Sequence, residues 1–258
     1  ENRYSLEDLS GTLPIDIALE DTATREATTF HAGVFTVGEN MVMETLDALE
    51  SQLQGFSSMP SAAIVLCGNF TPDCCRFTPF ERYSSTLGST QFVYVPGQED
   101  PGLPLILPRP PIPTALGFRN PSNFKNFTFT TNPARIMFAS QEIVIFRHDT
   151  VERLCKNALH VTEKLNELTD QVARTIISNG HLCPLPREVQ SVLWPLDCAL
   201  RLLPSPDTLI LADRFGQYTS ELSGCLVANP GPFGRLGYDF LVSIRSEEIS
   251  TRGWRDRR

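Results

Sequence analysis

Polar side chains of the kinds that bind metal ions follow several short apolar segments of this sequence. Asn69 comes directly after one such segment, and Gln98 and Glu99 come after the next. Asp213 follows a third segment, and His181 lies in a glycine-containing stretch. Carboxylate and imidazole groups at the ends of successive strands can hold two divalent ions, which clamp phosphoryl oxygens and activate a water molecule. The chemistry to test is therefore metal-assisted hydrolysis of a phosphoester.

The residue types at these positions do not suit that chemistry. Two-metal phosphoesterases of the calcineurin type carry Asp-x-His, Gly-Asp, Gly-Asn-His followed by Asp or Glu, a lone His, and Gly-His-x-His. This sequence has Gly68-Asn69 in place of Gly-Asp, and Glu99 in place of the histidine. Arg214, a cation that would repel a metal ion, falls in the last motif, and only His181 matches a ligand type. Five positions are interpreted as degenerate remnants of a metal site: Asn69, Gln98, Glu99, His181 and Asp213.

Other catalytic or metal-binding motifs are not found in the sequence. The seven cysteines include the neighbours Cys74 and Cys75 but no Cys-x-x-Cys, so neither a zinc site nor a disulfide framework is predicted. A phosphate-binding P-loop and a Gly-x-Ser-x-Gly nucleophile motif are also absent. The alternative interpretation of His181 is a loop residue that donates to a backbone carbonyl. We therefore expect no catalytic residue, no metal and no cofactor in this chain.

The segments around these residues have the pattern of an α/β protein with layered sheets. Three apolar runs without alternation are typical of strands buried on both faces: 62–67, 91–95 and 208–211. Further strands are predicted at 11–17, 134–140, 142–146, 225–228 and 238–244, and helices at 41–53, 150–159, 163–178 and 189–203, with a break at Pro195 as the alternative for the last helix. Buried strands that end in polar or glycine-containing loops place a site at the carboxyl edge of a sheet.

Charge is distributed unevenly along the chain. The formal net charge of -8 argues against nucleic acid as the main partner, because binding to phosphates requires a basic surface. No apolar run approaches the roughly 20 residues of a membrane span.

Residues 101–148 contain one acidic residue and five basic ones, Arg109, Arg119, Lys125, Arg135 and Arg147, a net charge of +4. We expect this segment, with its proline-rich part 101–113 extended over the surface, to contribute to an interface; the alternative is a solvated face with scattered arginines.

A collinear series of short motifs runs from about Tyr4 to Val242. The motifs are Leu66 to Phe70, Phe92 to Gly102, Ile106 to Pro111, Phe129 to Ile136, Gln141 to Ile143, Gly180 to Pro186 and Ala228 to Phe233. Each motif alone is a weak signal, but their order is specific. The series closely resembles the B subunits of DNA polymerase epsilon, in the B-subunit family of eukaryotic replicative DNA polymerases.

The resemblance implies an inactivated calcineurin-like phosphoesterase fold joined to an OB fold. On this basis residues 1–20 are expected to be the end of the OB-fold domain, a remnant of it, and residues 30–258 the phosphoesterase-like domain. Members of the family have more chain than this sequence within 18–45 and within 70–90, so segments are expected to be missing there.

The resemblance also implies a non-catalytic accessory subunit of a replicative polymerase in the nucleus. Its expected partners are the zinc-containing C-terminal domain of the catalytic subunit, where any zinc would reside, and the GINS part of the replicative helicase. DNA would be contacted only indirectly or weakly, and a membrane not at all. Two rival functions follow from the residues themselves: an active two-metal phosphoesterase or nuclease, and direct DNA binding through the basic segment.

Overall fold

Two large β-sheets flanked by helices form the structure, a computed structural model that describes residues 16–18, 29–37, 62–69, 91–100, 106–112, 127–138, 141–162, 164–233, 240–245 and 249–253. The strands in these residues are β1 (Asp16–Ala18), β2 (Thr29–Val37), β3 (Ala62–Cys67), β4 (Gln91–Val95), β5 (Ile106–Leu107), β6 (Phe127–Phe129), β7 (Ala134–Phe138), β8 (Gln141–Arg147), β9 (Ser191–Val192), β10 (Thr208–Ala212), β11 (Tyr218–Leu222), β12 (Cys225–Asn229), β13 (Pro232–Phe233), β14 (Phe240–Arg245) and β15 (Ile249–Gly253). The helices are α1 (Thr150–Asn157), α2 (Leu165–Asn179) and a 3₁₀ helix at Trp194–Leu200.

The two large sheets have parallel strands at their centres. The first sheet has the order β1-β7-β8-β10-β12-β11, in which β8, β10 and β12 run parallel. The second has the order β15-β14-β2-β3-β4-β6, in which β2, β3, β4 and β6 run parallel, and β13 also pairs with β2. Because parallel strands end at the same edge, each sheet presents a row of carboxyl ends on which loop residues can meet.

The two sheets pack face to face, and the side chains of β8 show how. Ile143 and Ile145 lie in one apolar cluster with Val65 of β3, whereas Val144 and Phe146 lie in a second cluster with the helices. Successive side chains of a strand point to opposite faces, so β8 is apolar on both. Burying each of these side chains stabilises the fold by about 2 kcal/mol.

The helices cover the outer face of the first sheet. Ala173 and Ile176 of α2 pack against the second cluster. The helix ends at Gly180, whose φ of 58° places it in the left-handed conformation that glycine adopts without steric strain. Its N–H donates to the carbonyl groups of Ile176 and Ile177, which closes the helix.

The predicted α/β class with layered sheets is confirmed. The three doubly buried strands are present as β3, β4 and β10, and the helices predicted at 150–159 and 163–178 are present as α1 and α2. The helix predicted over 189–203 is wrong, because β9 and the 3₁₀ helix occupy this segment. The N–H of Leu193 donates to the carbonyl of Leu107 (2.7 Å), and Pro195 has no N–H to donate. The start of this segment therefore pairs with β5 and does not form an α-helix.

The proline-rich stretch also differs from the prediction. Within 106–112, β5 pairs with β9, and Leu107 and Ile112 are buried in the body of the protein rather than extended over its surface. The backbone N–H and C=O of Arg109 exchange hydrogen bonds with those of Asn132 (2.8 and 3.0 Å). Two pairings thus fix the segment in place despite its prolines.

Several expectations lie outside the described residues. These are the helix at 41–53, the missing segments within 70–90, and most of the OB-fold remnant at 1–20. Of the remnant, only β1 is described, and it pairs with β7 of the first sheet. Within the part of the chain that the structure describes, no helix is both long and apolar enough to cross a membrane.

Candidate functional site

The carboxyl ends of strands from both sheets meet around Arg147, the last residue of β8. Ile143 and Ile145 face the space between the sheets, and by alternation Arg147 points the same way. Its Nε donates to the carbonyl of Gly68, just past β3 in the second sheet, and its Nη1 donates to the carbonyl of Ala212 in β10 (3.1 Å). One guanidinium therefore contacts the carboxyl ends of strands in both sheets.

Two glycines bring the loops at this edge into close contact. A Cβ atom on Gly68 would lie 1.8 Å from Oδ2 of Asp100 and 2.7 Å from the nitrogen of Gly97. A Cβ atom on Gly97 would lie 2.1 Å from Oδ1 of Asn69. Only residues without a side chain fit here, so these two glycines are required by close packing, and protein atoms already fill the space between the loops.

Hydrogen bonds of Asn69, Asp100 and Arg109 hold the loop that follows β4. Oδ1 of Asn69 accepts a hydrogen bond from the N–H of Glu99 (3.1 Å), and Oδ2 of Asp100 accepts one from the N–H of Gly97 (2.8 Å). The carbonyls of Gln98 and Asp100 accept from the guanidinium of Arg109 (2.6 and 2.7 Å). These polar atoms are thus engaged in fixing the loop.

Asp213, just past β10, is bound to the start of α1. Its Oδ2 accepts from the N–H of Val151 (2.8 Å) and its Oδ1 from the N–H of Phe215 (3.0 Å). Asp149 precedes the helix but makes no side-chain capping bond, so Asp213 supplies the cap from a neighbouring strand. Burial raises the pKa of Asp213 to about 6, and the two N–H donors partly offset this rise.

A chain of alternating charges runs from the centre of the site to its rim. Nη1 of Arg147 lies 2.9 Å from Oδ1 of Asp149, Arg214 lies 3.6 Å from the other oxygen of Asp149, and Arg214 also lies 2.8 Å from Oε1 of Glu99. The exposed fraction of the side chain rises along this series of charges, from 0% for Arg147 to 18% for Asp149, 39% for Arg214 and 52% for Glu99. Burial alone would raise the pKa of Asp149, but the charges of Arg147 and Arg214 outweigh burial and lower it.

The described residues of the site do not fit a divalent metal ion. In the described ranges, no group of three or more His, Cys, Asp or Glu side chains is placed to hold one. Among the described residues, three buried atoms at the site lack a protein partner, Nη2 of Arg147, Nε of Arg109 and Nε2 of Gln98, and all three are hydrogen-bond donors. A cation is bound by electron-pair donors, that is, by hydrogen-bond acceptors. The atoms that lack a partner at this site are N–H donors, so they cannot bind a metal ion.

The structure brings together four of the five positions singled out in the sequence: Asn69, Gln98, Glu99 and Asp213. The hydrogen bonds of His181 lie at the end of α2 instead. Its Nε2 is 3.2 Å from Oδ1 of Asp197, and its Nδ1 accepts from the N–H of Cys183 (3.0 Å). His181 is thus a loop histidine that accepts from the backbone, whereas the sequence-based alternative had it donating to a carbonyl.

The basic segment does not form the surface that its composition suggested. Arg109 and Arg147 are buried, so the prediction that they contribute to an interface is wrong for these two residues. Both side chains donate to buried backbone carbonyls that require hydrogen-bond donors, Arg109 to that of Asp100 in the loop after β4 and Arg147 to that of Ala212 at the end of β10. Arg135 is mostly buried and pairs with Glu142, and Arg119 and Lys125 lie outside the described residues.

Asn132 belongs to the site but was missed in the sequence. Its Nδ2 donates to the carbonyls of Pro96 (2.9 Å) and Arg147 (2.7 Å), and its Oδ1 accepts from the N–H of Arg147 (3.1 Å). The side chain therefore joins a loop of the second sheet to a strand of the first. The only sequence signal was its position in a Thr-Thr-Asn-Pro stretch between two strands.

Solved structures similar to this chain include phosphoesterase-like proteins, at low scores. An archaeal phosphodiesterase matches with a TM-score of 0.48 and 12% identity, over 87% of this chain and 98% of the other. A single mutant of Vps29 from Entamoeba histolytica matches with a TM-score of 0.43 and 13% identity, over 87% and 91%. Scores below 0.5 do not establish a common fold.

Sequence comparison gives a firmer relationship. The family model for the B subunit of DNA polymerase alpha/epsilon matches residues 79–220. DNA polymerase epsilon subunit 2 of Homo sapiens is 37% identical over 222 residues, and that of Bos taurus 36% over 223; each match covers 80% of this chain and 42% of the relative. The chain thus spans about two fifths of the length of these relatives. The DNA polymerase epsilon B subunit of Arabidopsis thaliana is 35% identical over 74% of this chain and 40% of its own. The chain belongs to the B-subunit family of DNA polymerases alpha and epsilon.

Proposed function

We propose that this chain is part of an accessory, non-catalytic B subunit of DNA polymerase epsilon that acts as a scaffold in the nucleus during DNA replication. The observation that carries the proposal is the family match over residues 79–220, together with relatives named as subunits of this polymerase. The resemblance of the motif series to the epsilon B subunits supports the same branch of the family.

The arrangement at the strand ends supports a non-catalytic role. Oδ1 of Asn69 accepts from a backbone N–H, Oε1 of Gln98 accepts from the side chain of Arg153, and Arg214 lies beside Glu99, where a metal-dependent phosphoesterase would need oxygen and imidazole ligands. The unpartnered atoms of the site are hydrogen-bond donors, which suits neither metal binding nor activation of a metal-bound water. We propose that these positions, including Asp213, once held metal ions and now stabilise the fold.

The proposed partners are proteins rather than DNA. We propose that the protein binds the zinc-containing C-terminal domain of the catalytic subunit, which would supply any zinc, and that it connects the polymerase to the GINS part of the replicative helicase. The net charge of -8 and the burial of Arg109 and Arg147 support weak or indirect contact with DNA.

Co-purification tests this proposal. The full chain would be co-expressed with the C-terminal domain of the epsilon catalytic subunit, and with the corresponding domain of an unrelated polymerase as a control. We expect a complex of equal stoichiometry with the first domain, and failure of the two to associate would contradict the proposal. A generic phosphodiester assay with Mn²⁺ tests the rival enzyme: turnover that depends on Asp213 would contradict a purely structural site.

A further inference from the structure

The proposed function gives no reason for the burial of Arg147. Its side chain is fully buried, and it is one of the two largest side chains in that state. Removing a cation from water costs several kcal/mol unless hydrogen bonds and an opposite charge compensate. A buried arginine at the meeting point of two sheets therefore needs a structural reason for being there.

The partners of Arg147 form a set of oxygen acceptors drawn from separate parts of the fold. The carbonyl of Gly68 follows a strand of the second sheet, and the carbonyl of Ala212 ends a strand of the first. The carboxylate of Asp149 supplies the opposite charge. Carbonyl and carboxylate oxygens are also the ligands of hard metal ions, so the surroundings are those of a cation site in which a guanidinium supplies the cation.

The backbone of Arg147 is also held in place. The side chain of Asn132 accepts from its N–H and donates to its carbonyl, and the same side chain donates to the carbonyl of Pro96. The guanidinium is therefore oriented from two sides, by its own acceptors and by this asparagine. Such an arrangement suits the planar, forked geometry of arginine, which lysine cannot reproduce.

We propose that the Arg147 guanidinium is a built-in cation that takes the place of a metal ion among these oxygen acceptors, and that it fastens the carboxyl ends of the two sheets together. The disagreement between the residues present and a metal site is thus explained by replacement, because the charge is retained while the metal is not. The proposal concerns the fold alone, so it holds or fails independently of the polymerase partners.

Arg109 provides an internal contrast. It is buried in the same region, but its two acceptors, the carbonyls of Gln98 and Asp100, both belong to the loop after β4. Its guanidinium therefore holds one loop, whereas that of Arg147 spans two sheets. The clamp between the sheets is assigned to Arg147 on this difference.

Thermal unfolding of the full chain tests the clamp. Arg147→Met is expected to lower the unfolding midpoint by about 10 °C, because it leaves three acceptors without their donor. Arg147→Lys, which keeps the charge but loses the fork, is expected to fall between this variant and the wild type. The control Arg201→Met, at an exposed side chain, should shift the midpoint by about 2 °C or less. Equal midpoints for Arg147→Met and Arg201→Met would overturn the proposal.

A measurement on the unaltered chain covers the case in which Arg147→Met does not fold. Nitrogen-15 NMR detects the Nε–H of arginine, and burial with a carbonyl acceptor slows its exchange with water. We expect a protected Nε–H signal from Arg147 at pH 7, absent from the spectrum of Arg147→Lys and present in that of Arg201→Lys. Exchange of this proton as fast as in exposed arginines would overturn the proposal.

Discussion

Two arginine–aspartate pairs in this chain show how surroundings determine the importance of an interaction. Arg147 and Asp149 lie 2.9 Å apart at the junction of the two sheets, with the arginine fully buried. Arg201 and Asp197 lie 3.1 Å apart at the end of the 3₁₀ helix, with the arginine side chain 57% exposed. The distances are similar, but only the first pair is surrounded by backbone carbonyls that depend on it. The junction is therefore expected to be sensitive to substitution and the helix end tolerant.

The largest effect is expected from adding a side chain to a tightly packed glycine at the junction. Gly68→Ala would place a methyl group 1.8 Å from a carboxylate oxygen of Asp100 and 2.7 Å from the backbone nitrogen of Gly97, so moving the Asp100 side chain alone would not relieve the clash. We expect a loss of about 4 kcal/mol or more in the free energy of unfolding, or failure to fold. Gly216→Ala is the matched control, because a Cβ atom there meets nothing within 4 Å. Urea denaturation of both variants checks the difference, and equal stability would refute the packing described for the junction.

The second effect is a pH dependence that originates at Asp213. Its pKa in the folded protein is about 6, above the ordinary value of 3.8, so between these values the folded state binds more protons than the unfolded state. The contribution of Asp213 to stability therefore decreases as the pH rises from about 4 to about 6, by about 3 kcal/mol in total, and is constant above that range. Asp213→Asn should lack this slope, which is read from the difference between the two proteins in urea denaturation across the pH range. Parallel curves would contradict the assignment.

Asn132 is expected to have the next largest effect. Asn132→Ala removes three hydrogen bonds that join a loop of the second sheet to Arg147, and we expect a loss of about 2 kcal/mol because buried backbone groups lose their partners. Asn179→Ala, at an exposed side chain with one bond to the carbonyl of Thr175, is the control. Chemical denaturation that ranks the control as the more damaging change would reverse the comparison between junction and surface.

The smallest effect is expected at the helix end. Arg201→Ala removes an exposed ion pair and should change the free energy of unfolding by about 0.5 kcal/mol. Because the pair is accessible to solvent, salt should reduce even this difference. A loss above about 2 kcal/mol in low-salt denaturation would show that this surface pair has a structural role comparable to that of Arg147.

The strands could be predicted from the sequence because their signal is local. An apolar run such as Ala62–Cys67, followed by glycine and a polar residue, indicates a buried strand whatever its neighbours are. The same reasoning found Asn69, Gln98, Glu99 and Asp213, because each follows such a run. It failed over 189–203, where pairing with β5, rather than the local pattern, determines the backbone.

The role of the arginines could not be predicted in the same way. A cluster of positive charge in the sequence is usually taken to mean an exposed basic face. Arg109 is buried because carbonyls of the loop after β4 accept from it, whereas Arg147 is buried because carbonyls from distant segments, those of Gly68 and Ala212, converge on it. That convergence depends on the packing of two sheets, which no local pattern encodes. The contribution of Asn132 was missed for the same reason.

A guanidinium, rather than a metal ion, is proposed to hold the junction of the two sheets together. The decisive test is the thermal unfolding midpoint of the full chain, measured in EDTA and in excess Mn²⁺. We predict the same midpoint in both, because the acceptors at the strand ends are already bound to Arg147 and the free atoms are donors. A midpoint that rises with Mn²⁺, and that no longer rises in Asp213→Asn, would contradict the replacement of a metal by Arg147.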